Sequence, residues 1–309
     1  MILVYINHGL GNQMFQYAFG MILQKKNKGI KVAYDITCLR ARIEGRKSWN
    51  INDIFDCKVP IASPWLVWRV TKCCPFIYRM WLKDEKRVDE YRDRHIQCRV
   101  LKEPAKYKGE GSIEKINAHR FVQHKEHYVW GFWENVNYLK GYEKLIQRKF
   151  RFKHRFNTEE KDKYRDIFEK NSVAVHIRRG DYLKQDSAHA FCLCGEDYYE
   201  QAMKVIEEQV ENPFYVFFSD DSDYVREKYK YIENKMLVTG NRDYVDLQLM
   251  SCCNHIICAN STFSFWGAFL NKHADKVVVV PKIHFRVKQG AWKDIPFMAC
   301  DGWNVIENG

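Results

Sequence analysis

The sequence predicts an α/β protein with two Rossmann-like, doubly wound domains that face one cleft. The chain of 309 residues exceeds the length of one ordinary domain. In the second half, short apolar stretches alternate with segments of helical periodicity, which is typical of a parallel sheet covered on both faces. The first half opens on a similar strand, loop and helix. We place the boundary after residue 155, which gives domains 1–155 and 156–309.

The strands are predicted from short apolar runs bounded by polar residues. Strands of the first half are placed at residues 2–6, 31–34 and 128–133. Strands of the second half are placed at residues 173–177, 214–218, 236–238, 256–259 and 277–280. Helices are placed at residues 12–20, 196–210, 222–230, 244–253 and 261–271. The charged region between residues 38 and 125 has no clear periodicity, so no element is assigned there.

Composition and charge restrict the partners of the protein. An apolar fraction of 46% indicates a globular chain, and the net charge of +11 suits an anionic ligand, an anionic lipid surface or nucleic acid. Residues 65–108 hold twelve Lys and Arg against six Asp and Glu, together with several aromatic side chains. This mixture predicts peripheral contact with the inner membrane. A solvated basic helix packed over the first domain is the alternative.

The first residues enter an apolar strand directly, without the features of a signal peptide. We therefore expect a cytoplasmic protein without a membrane span. Eleven cysteines are then expected to stay reduced. Their spacing lacks the paired ligands of a zinc site, so we expect neither a structural metal nor a cofactor.

Charged residues follow the first predicted strand of the second domain, at the sheet edge where ligands of doubly wound domains bind. Arg178 and Arg179 carry planar guanidinium groups that match phosphate oxygens. Gly180 lets the backbone approach a ligand. These residues predict a diphosphate site. An ion pair with Asp181 is the structural alternative, and His176, taken alone, is better explained as a core histidine.

Two further loops carry polar residues that suit a nucleotide. Asp220 and Asp221 follow the next strand, where one is expected to cap a helix and the other to bind a nucleobase or ribose. The helix after residue 259 begins with capping residues, which are also typical of an anion site formed by backbone N–H groups. Its candidate phosphate contacts are Asn260, Ser261, Thr262 and Ser264.

A glycine turn precedes the first helix. Gly9 and Gly11 permit close approach of a ligand, and Asn12 and Gln13 can bind its hydroxyl groups. A tight turn without a ligand explains the same residues, because their spacing differs from the dinucleotide-binding fingerprint.

Four motifs resemble those of the α-1,2-fucosyltransferases of glycosyltransferase family 11, in the short bacterial form. They are residues 9–18 (GLGNQMFQYA), 175–182 (VHIRRGDY), 218–221 (FSDD) and 249–268, which end in NSTFSFWGA. The motifs occur in the family's order and extend over the chain.

The resemblance implies a GT-B fold with an N-terminal acceptor-side domain and a C-terminal domain that binds GDP-fucose. It also implies inverting, metal-independent transfer of L-fucose from GDP-β-L-fucose to the 2-hydroxyl of a terminal β-galactoside. By the similar motif, His176 and Asp220 would contact guanine. Arg178 and Arg179 would contact the diphosphate, and the hydroxyl groups at the helix start would contact the phosphates.

The sequence departs from the family pattern at positions that bear on the acceptor. His8 stands where glycine is usual and Glu134 where glutamine is typical, while Phe265 and Phe269 replace tryptophans. Inversion needs a base that removes the proton of the acceptor hydroxyl. Asp181 is the first candidate for this base, and His8 and Glu134 are the alternates.

Two other functions remain open at this point. One is a GT-B enzyme with another nucleotide sugar or another linkage. The other is a non-catalytic protein that binds glycans or nucleic acid. Because no nucleic-acid-binding motif is recognisable, no nucleic-acid partner is expected.

Overall fold

The computed structural model describes residues 1–40, 51–74, 76–77, 85–102, 121, 125–180, 182–183, 192–283 and 298–308. The chain divides into two units, Met1–Lys153 and His154–Gly309. The boundary expected after residue 155 lies two residues from this division. Helices and strands are numbered below in chain order over the described residues.

The first unit is built on a parallel sheet with strand order β2-β1-β4-β3. Its strands are β1 (Ile2–Tyr5), β2 (Val32–Asp35), β3 (Arg99–Lys102) and β4 (His127–Trp130). In the centre, Ile2 of β1 lies opposite Val32 on one side and His127 on the other. Every residue of β1 is buried, as expected for a parallel strand covered on both faces.

Helices cover both faces of this sheet. They are α1 (Leu10–Lys26), α2 (Thr37–Arg40), α3 (Ile51–Ile54), α4 (Pro64–Thr71), α5 (Glu85–His95), α6 (Val136–Leu139) and α7 (Glu143–Lys149). Residues 13–23 of α1 are all buried, so this helix belongs to the interior rather than the surface. Lys25 and Lys26 in its last turn complement the negative end of the helix dipole.

A buried ion pair fixes α5 to the sheet of the first unit. The Arg92 guanidinium lies 2.9 Å from an oxygen of Asp35, at the end of β2, and both side chains are almost fully buried. The Tyr128 hydroxyl donates a hydrogen bond of 2.7 Å to the same carboxylate. Arg92 also stacks on the Tyr5 ring at 3.8 Å. These contacts compensate the cost of burying two charges.

The second unit contains a larger parallel sheet, with strand order β10-β9-β8-β5-β6-β7. Its strands are β5 (Ser172–Ile177), β6 (Phe214–Ser219), β7 (Lys235–Val238), β8 (His255–Ile257), β9 (Val278–Pro281) and β10 (Asn304–Ile306). Its helices are α8 (Thr158–Lys163), α9 (Arg165–Glu169), α10 (Glu196–Glu207), α11 (Ser222–Lys228), α12 (Asp243–Cys252) and α13 (Thr262–Leu270).

Two hydrophobic cores cover the two faces of the larger sheet. Val173 and Val175 of β5 point into the core that includes α10 and α11. Ala174 between them points into the core that includes α9, α12 and α13. This alternation follows the period of two residues in a strand. The predicted α/β class with two doubly wound domains is thereby confirmed.

Several elements differ from those predicted. β3 and β10 were missed because their residues are charged or only half-buried and form no apolar run. α4 and α5 were missed in the same charged region, and the rest of that region lies partly outside the described residues. β4 ends at Trp130 rather than residue 133, and Trp133 itself has a left-handed backbone with φ of +59°. Within the described ranges, no helix has the length and apolarity needed to cross a bilayer.

Candidate functional site

The carboxyl edge of the larger sheet collects the charged residues predicted for the second domain. β5 pairs with β6 on one side and with β8 on the other, all in parallel. The loops that follow these three strands therefore emerge next to one another. This sheet edge is the usual ligand-binding edge of doubly wound domains.

Asp220 organises the arginine loop after β5. One of its oxygens lies 2.8 Å from an Arg178 nitrogen, and the other accepts a 2.9 Å hydrogen bond from the backbone N–H of Arg179. A Cβ atom at Gly180 would lie only 2.9 Å from the first of these oxygens. The close approach of loop and carboxylate therefore requires glycine at position 180.

Asp221 holds the second arginine and also starts a helix. Its side chain lies 3.1 Å from the Arg179 Nε and accepts a 3.1 Å hydrogen bond from the backbone N–H of Tyr224, which caps α11. The Arg179 guanidinium stacks on the Tyr224 ring at 3.7 Å. Asp221 is thus the capping member of the pair. Arg179 is held in place by both a carboxylate and an aromatic ring.

His176 is a buried, uncharged residue at the end of β5. Burial lowers the pKa of His176 to about 3, and the positive charge of Arg178 acts in the same direction while Asp220 opposes it. Its ring lies 5.7 Å from the Phe263 ring. Its Nδ1 atom is buried and has no hydrogen-bond partner among the described residues. A ligand can therefore supply the hydrogen bond to this nitrogen.

The loop before α13 uses several of its hydroxyl groups internally. Ser261 is the N-cap, and its Oγ accepts a 3.2 Å hydrogen bond from the Phe263 backbone. Ser264 is fully buried, with its Oγ 3.3 Å from the Ala259 carbonyl and 3.2 Å from that of Ser261. Ser264 therefore stabilises the turn, and its phosphate contact stays a prediction. Thr262, in the first turn, is only half-buried.

A tyrosine connects the loop after β5 with the loop after β8. The Tyr182 hydroxyl donates a 3.0 Å hydrogen bond to the Asn260 carbonyl, and the Arg178 guanidinium lies 5.8 Å from the Tyr182 ring. The Asn260 side chain donates to the carbonyl of Cys192. Tyr182 therefore lies between Arg178 and the residue that precedes the N-cap of α13. Asp181, the first candidate for the base, lies outside the described residues.

The glycine turn of the first unit is held by Gln13. The Gln13 side chain is buried and donates a 2.7 Å hydrogen bond to the His8 carbonyl. Gly9 occupies the N-cap of α1, and a Cβ atom there would meet nothing within 4 Å. Gly11 is buried and Asn12 half-buried. Gln13 therefore has a structural role in the turn, whereas Gly9 borders open space.

His8 and Glu134 lie in loops that follow two neighbouring strands, β1 and β4. His8 has a left-handed backbone with φ of +67°, which is uncommon for a non-glycine residue. Its N–H donates a 2.7 Å hydrogen bond to the Asn7 side chain, and its ring lies 4.7 Å from the Phe132 ring. Glu134 is buried. The first unit thus brings both alternate base candidates to one sheet edge.

Asp246 was not predicted from the sequence and lies at the same edge of the larger sheet, in the first turn of α12. Asn241 donates a 2.9 Å hydrogen bond to Asp246 and accepts one of 2.9 Å from the Tyr164 hydroxyl. Burial raises the pKa of Asp246 to about 6. Its position after β7 could have identified it in the sequence, because β7 ends at the same sheet edge as β5 and β6.

The cysteines are free thiols. Burial raises the pKa of Cys252 to about 11 and holds the pKa of Cys194 well above its usual range, so both stay protonated at neutral pH. Among the residues that the structure describes, no three His, Cys, Asp or Glu side chains form a group that could hold a metal ion.

Known proteins resemble this chain, two of them over most of its length. An alpha-1,2-colitosyltransferase of Escherichia coli is 28% identical over 282 residues, which cover 88% of this chain and 88% of that protein. The O-antigen biosynthesis glycosyltransferase WbnK of Escherichia coli is 28% identical over 295 residues, 91% of this chain and 93% of that protein. A galactoside alpha-(1,2)-fucosyltransferase 1 of Plecturocebus brunneus is 32% identical over 103 residues, 32% of this chain and 28% of that protein.

A solved structure resembles the fold. The crystal structure of NodZ alpha-1,6-fucosyltransferase co-crystallized with GDP has a TM-score of 0.50 and 13% identity, covering 87% of this chain and 91% of that chain. This similarity confirms the GT-B-like fold expected from the sequence. A profile described as Glycosyl transferase family 11 matches residues 111–299, more than half of the chain. The chain therefore belongs to glycosyltransferase family 11 and is a glycosyltransferase.

Proposed function

We propose that the protein transfers L-fucose from GDP-β-L-fucose to the 2-hydroxyl of a terminal β-galactoside, with inversion and without a metal ion. The observation that carries the proposal is the pair of arginines at the carboxyl edge of the larger sheet. Arg178 lies beside Tyr182, whose hydroxyl is hydrogen-bonded to the loop before α13. A departing diphosphate needs positive charge, which two guanidinium groups and a helix N-terminus supply.

The carboxylates Asp220 and Asp221 support this role rather than oppose it. Each holds one guanidinium group in a fixed orientation before the donor binds. A guanidinium has five N–H donors, so one carboxylate does not exhaust its capacity for phosphate oxygens. In the proposed mechanism, Arg178 and Arg179 bind the diphosphate and stabilise the charge that develops on it.

We assign the binding of the nucleobase to His176. Its buried Nδ1 atom has no hydrogen-bond partner in the part of the chain that the structure describes, and its low pKa keeps the ring neutral, which suits a hydrogen bond to an uncharged base. Asp220 was also expected to contact guanine. Because both of its oxygens already bind the arginine loop, we propose that Asp220 acts mainly as a positioning residue.

We assign the binding of the acceptor sugar to the loops of the first unit. An inverting transfer needs a base that removes the proton of the attacking hydroxyl. His8 and Glu134 are the described candidates, and Asp181 stays a prediction. We favour His8, because its left-handed backbone is held by Asn7 and Gln13 and such strain is common where a side chain is placed for function.

The relatives support the linkage and suggest a biological setting. The names of two of them specify alpha-1,2 transfer, and one names a galactoside acceptor. WbnK is named for O-antigen biosynthesis. We therefore propose a role in the synthesis of a bacterial surface polysaccharide such as lipopolysaccharide, at the cytoplasmic face of the membrane. Transfer of a colitosyl group is the second candidate, because a colitosyltransferase resembles the chain over most of its length.

Release of GDP from GDP-fucose, measured with a panel of β-galactosides, tests the proposal. The wild-type protein is expected to release GDP only with an acceptor and equally well in EDTA. In Arg178→Ala, loss of one donor to the developing charge should slow release by at least about 100-fold. Arg178→Lys retains a charge but not the planar fork, so we expect an intermediate rate.

Arg226→Ala is the matched control, because Arg226 is an exposed arginine of the same unit that pairs with an exposed aspartate. It should retain wild-type activity, and melting curves should show that all variants are folded. Full activity of Arg178→Ala, or loss of activity in EDTA, would contradict the proposed phosphate site. Release from a colitosyl donor but not from GDP-fucose would favour the second candidate.

A further inference from the structure

The solvent-facing side of α4 carries two tryptophans. Trp65 is 63% exposed and Trp68 is 48% exposed. Arg69 and Lys72, also exposed, complete a row in which residues are spaced by three or four positions. Residues at this spacing lie on one face of a helix. We call these four side chains the tryptophan face.

The opposite side of α4 is firmly packed. Val67, Val70 and Thr71 are buried, and Val67 and Val70 belong to the core of the first unit. Ser63 caps the helix by accepting a 3.2 Å hydrogen bond from Leu66. Because the buried side already supplies the packing, the exposed tryptophans are not needed to hold α4 in place. Large exposed apolar groups of this kind indicate an interaction surface.

A third exposed aromatic residue follows closely in the chain. Phe76 is 68% exposed. The nearby Cys74 backbone donates a 3.3 Å hydrogen bond to the Tyr91 hydroxyl of α5, which ties this stretch to the first unit. Three large aromatic side chains thus face solvent within twelve residues, from Trp65 to Phe76.

Positive charge surrounds the tryptophan face. The backbone N–H of Gln97 donates a 3.2 Å hydrogen bond to the Thr71 carbonyl, so the segment after α5 lies beside the end of α4. Arg94 and Arg99 on either side of Gln97 are exposed. The Arg69 guanidinium lies 5.6 Å from the Trp65 ring and 3.3 Å from a Glu126 oxygen.

We infer that the tryptophan face binds the surface of an anionic phospholipid bilayer. Indole rings favour the boundary between headgroups and acyl chains, and arginine and lysine side chains beside them are attracted to anionic headgroups. The surface combines both features on one rigid helix. The chain's excess of positive charge, +11, acts in the same direction.

Co-sedimentation with vesicles tests this inference. The vesicles contain either phosphatidylcholine alone or phosphatidylcholine mixed with phosphatidylglycerol. The wild-type protein should bind the mixed vesicles, and binding should weaken with salt. Replacing Trp65 and Trp68 by alanine should lower the partition coefficient at least about tenfold. Arg69→Gln with Lys72→Asn should lower it about 30-fold, and asparagine suits the positive φ at position 72.

A matched control replaces Phe168 and Tyr231, exposed aromatic residues of the second unit, by alanine. This variant should bind vesicles like the wild type. GDP release with a soluble acceptor should be unchanged in all of these variants, which separates this inference from the proposed function. Equal binding to phosphatidylcholine alone, or unchanged binding of the tryptophan variant, would overturn it. A dimer or a nucleic-acid complex that depends on the tryptophans, without vesicle binding, would also overturn it.

Discussion

A neutral imidazole lies next to two guanidinium groups at the carboxyl end of β5. Burial and the charge of Arg178 lower the pKa of His176 to about 3, from 6.5. The imidazole is therefore uncharged at neutral pH and contributes hydrogen bonding rather than charge. The positive charge of the proposed donor site comes from Arg178 and Arg179.

The low pKa of His176 predicts a pH dependence of stability. Between about 6.5 and about 3, the unfolded chain holds a proton on this residue that the folded chain does not. Lowering the pH through this window therefore favours unfolding, by up to about 1.4 kcal/mol per pH unit. In His176→Gln, the slope of the free energy of unfolding against pH should be smaller by this amount, as measured by urea titration.

His95→Gln is the control, because His95 is an exposed histidine of the first unit. This control shows whether the change of slope is specific to the buried histidine. If His176→Gln keeps the wild-type slope, another residue takes up the proton on unfolding, and the prediction is wrong.

Residue types at the site were predictable, but their partners were not. Arg178 and Arg179 stood out because two guanidinium groups follow an apolar strand. Their pairing with Asp220 and Asp221 depends on the register that sets Ile177 opposite Ser219, which no local pattern encodes. The left-handed backbone of His8 was not predictable either, since the His8 N–H donates to the Asn7 side chain and the His8 carbonyl accepts from the Gln13 side chain.

At the scale of elements, one glycine sets the distance between α1 and β2. A Cβ atom at Gly20 would lie 2.5 Å from the ring of Tyr34. That ring is buried, its hydroxyl donates a 3.2 Å hydrogen bond to the Tyr17 carbonyl, and it packs against the Tyr17 ring at 5.1 Å. The ring therefore has little room to move.

Gly20→Ala is expected to destabilise the first unit. Alanine favours a helix over glycine by up to about 1 kcal/mol, but overpacking in a core costs about 1 to 3 kcal/mol. Chemical denaturation should therefore show a net loss of stability. Gly195→Ala is the control, because a Cβ atom there meets nothing within 4 Å. Gly195 is the N-cap of α10, so this variant should show only the smaller loss that comes from alanine at an N-cap. A stabilised Gly20→Ala protein would contradict the packing described for α1.

Strands with continuous apolar runs were predictable from sequence, whereas short or charged elements were not. β5 and β6 are buried on both faces, so their side chains are almost all apolar. β3 has exposed basic residues at both ends, and its pairing with β4 is set by the backbone. In α4, two tryptophans face solvent, so hydrophobicity alone does not identify the buried side.

At the scale of the whole molecule, each unit repeats one principle: a parallel sheet covered by helices, with polar residues at its carboxyl edge. The larger sheet carries the arginines and His176, and the smaller sheet carries His8 and Glu134. The assignment of donor and acceptor to different domains stays a prediction. The tryptophan face of α4 also belongs to the first unit, and it contains none of these site residues.

NMR spectroscopy of the reaction product tests the proposed linkage, the anomeric configuration and the metal independence of the transfer together. The protein is incubated with GDP-β-L-fucose and a β-galactoside such as lactose in the presence of EDTA, and the purified product is examined. The expected product carries one fucose in α configuration on the 2-hydroxyl of galactose. A β-fucoside, a bond to another hydroxyl, or no fucosylated product under these conditions would contradict it.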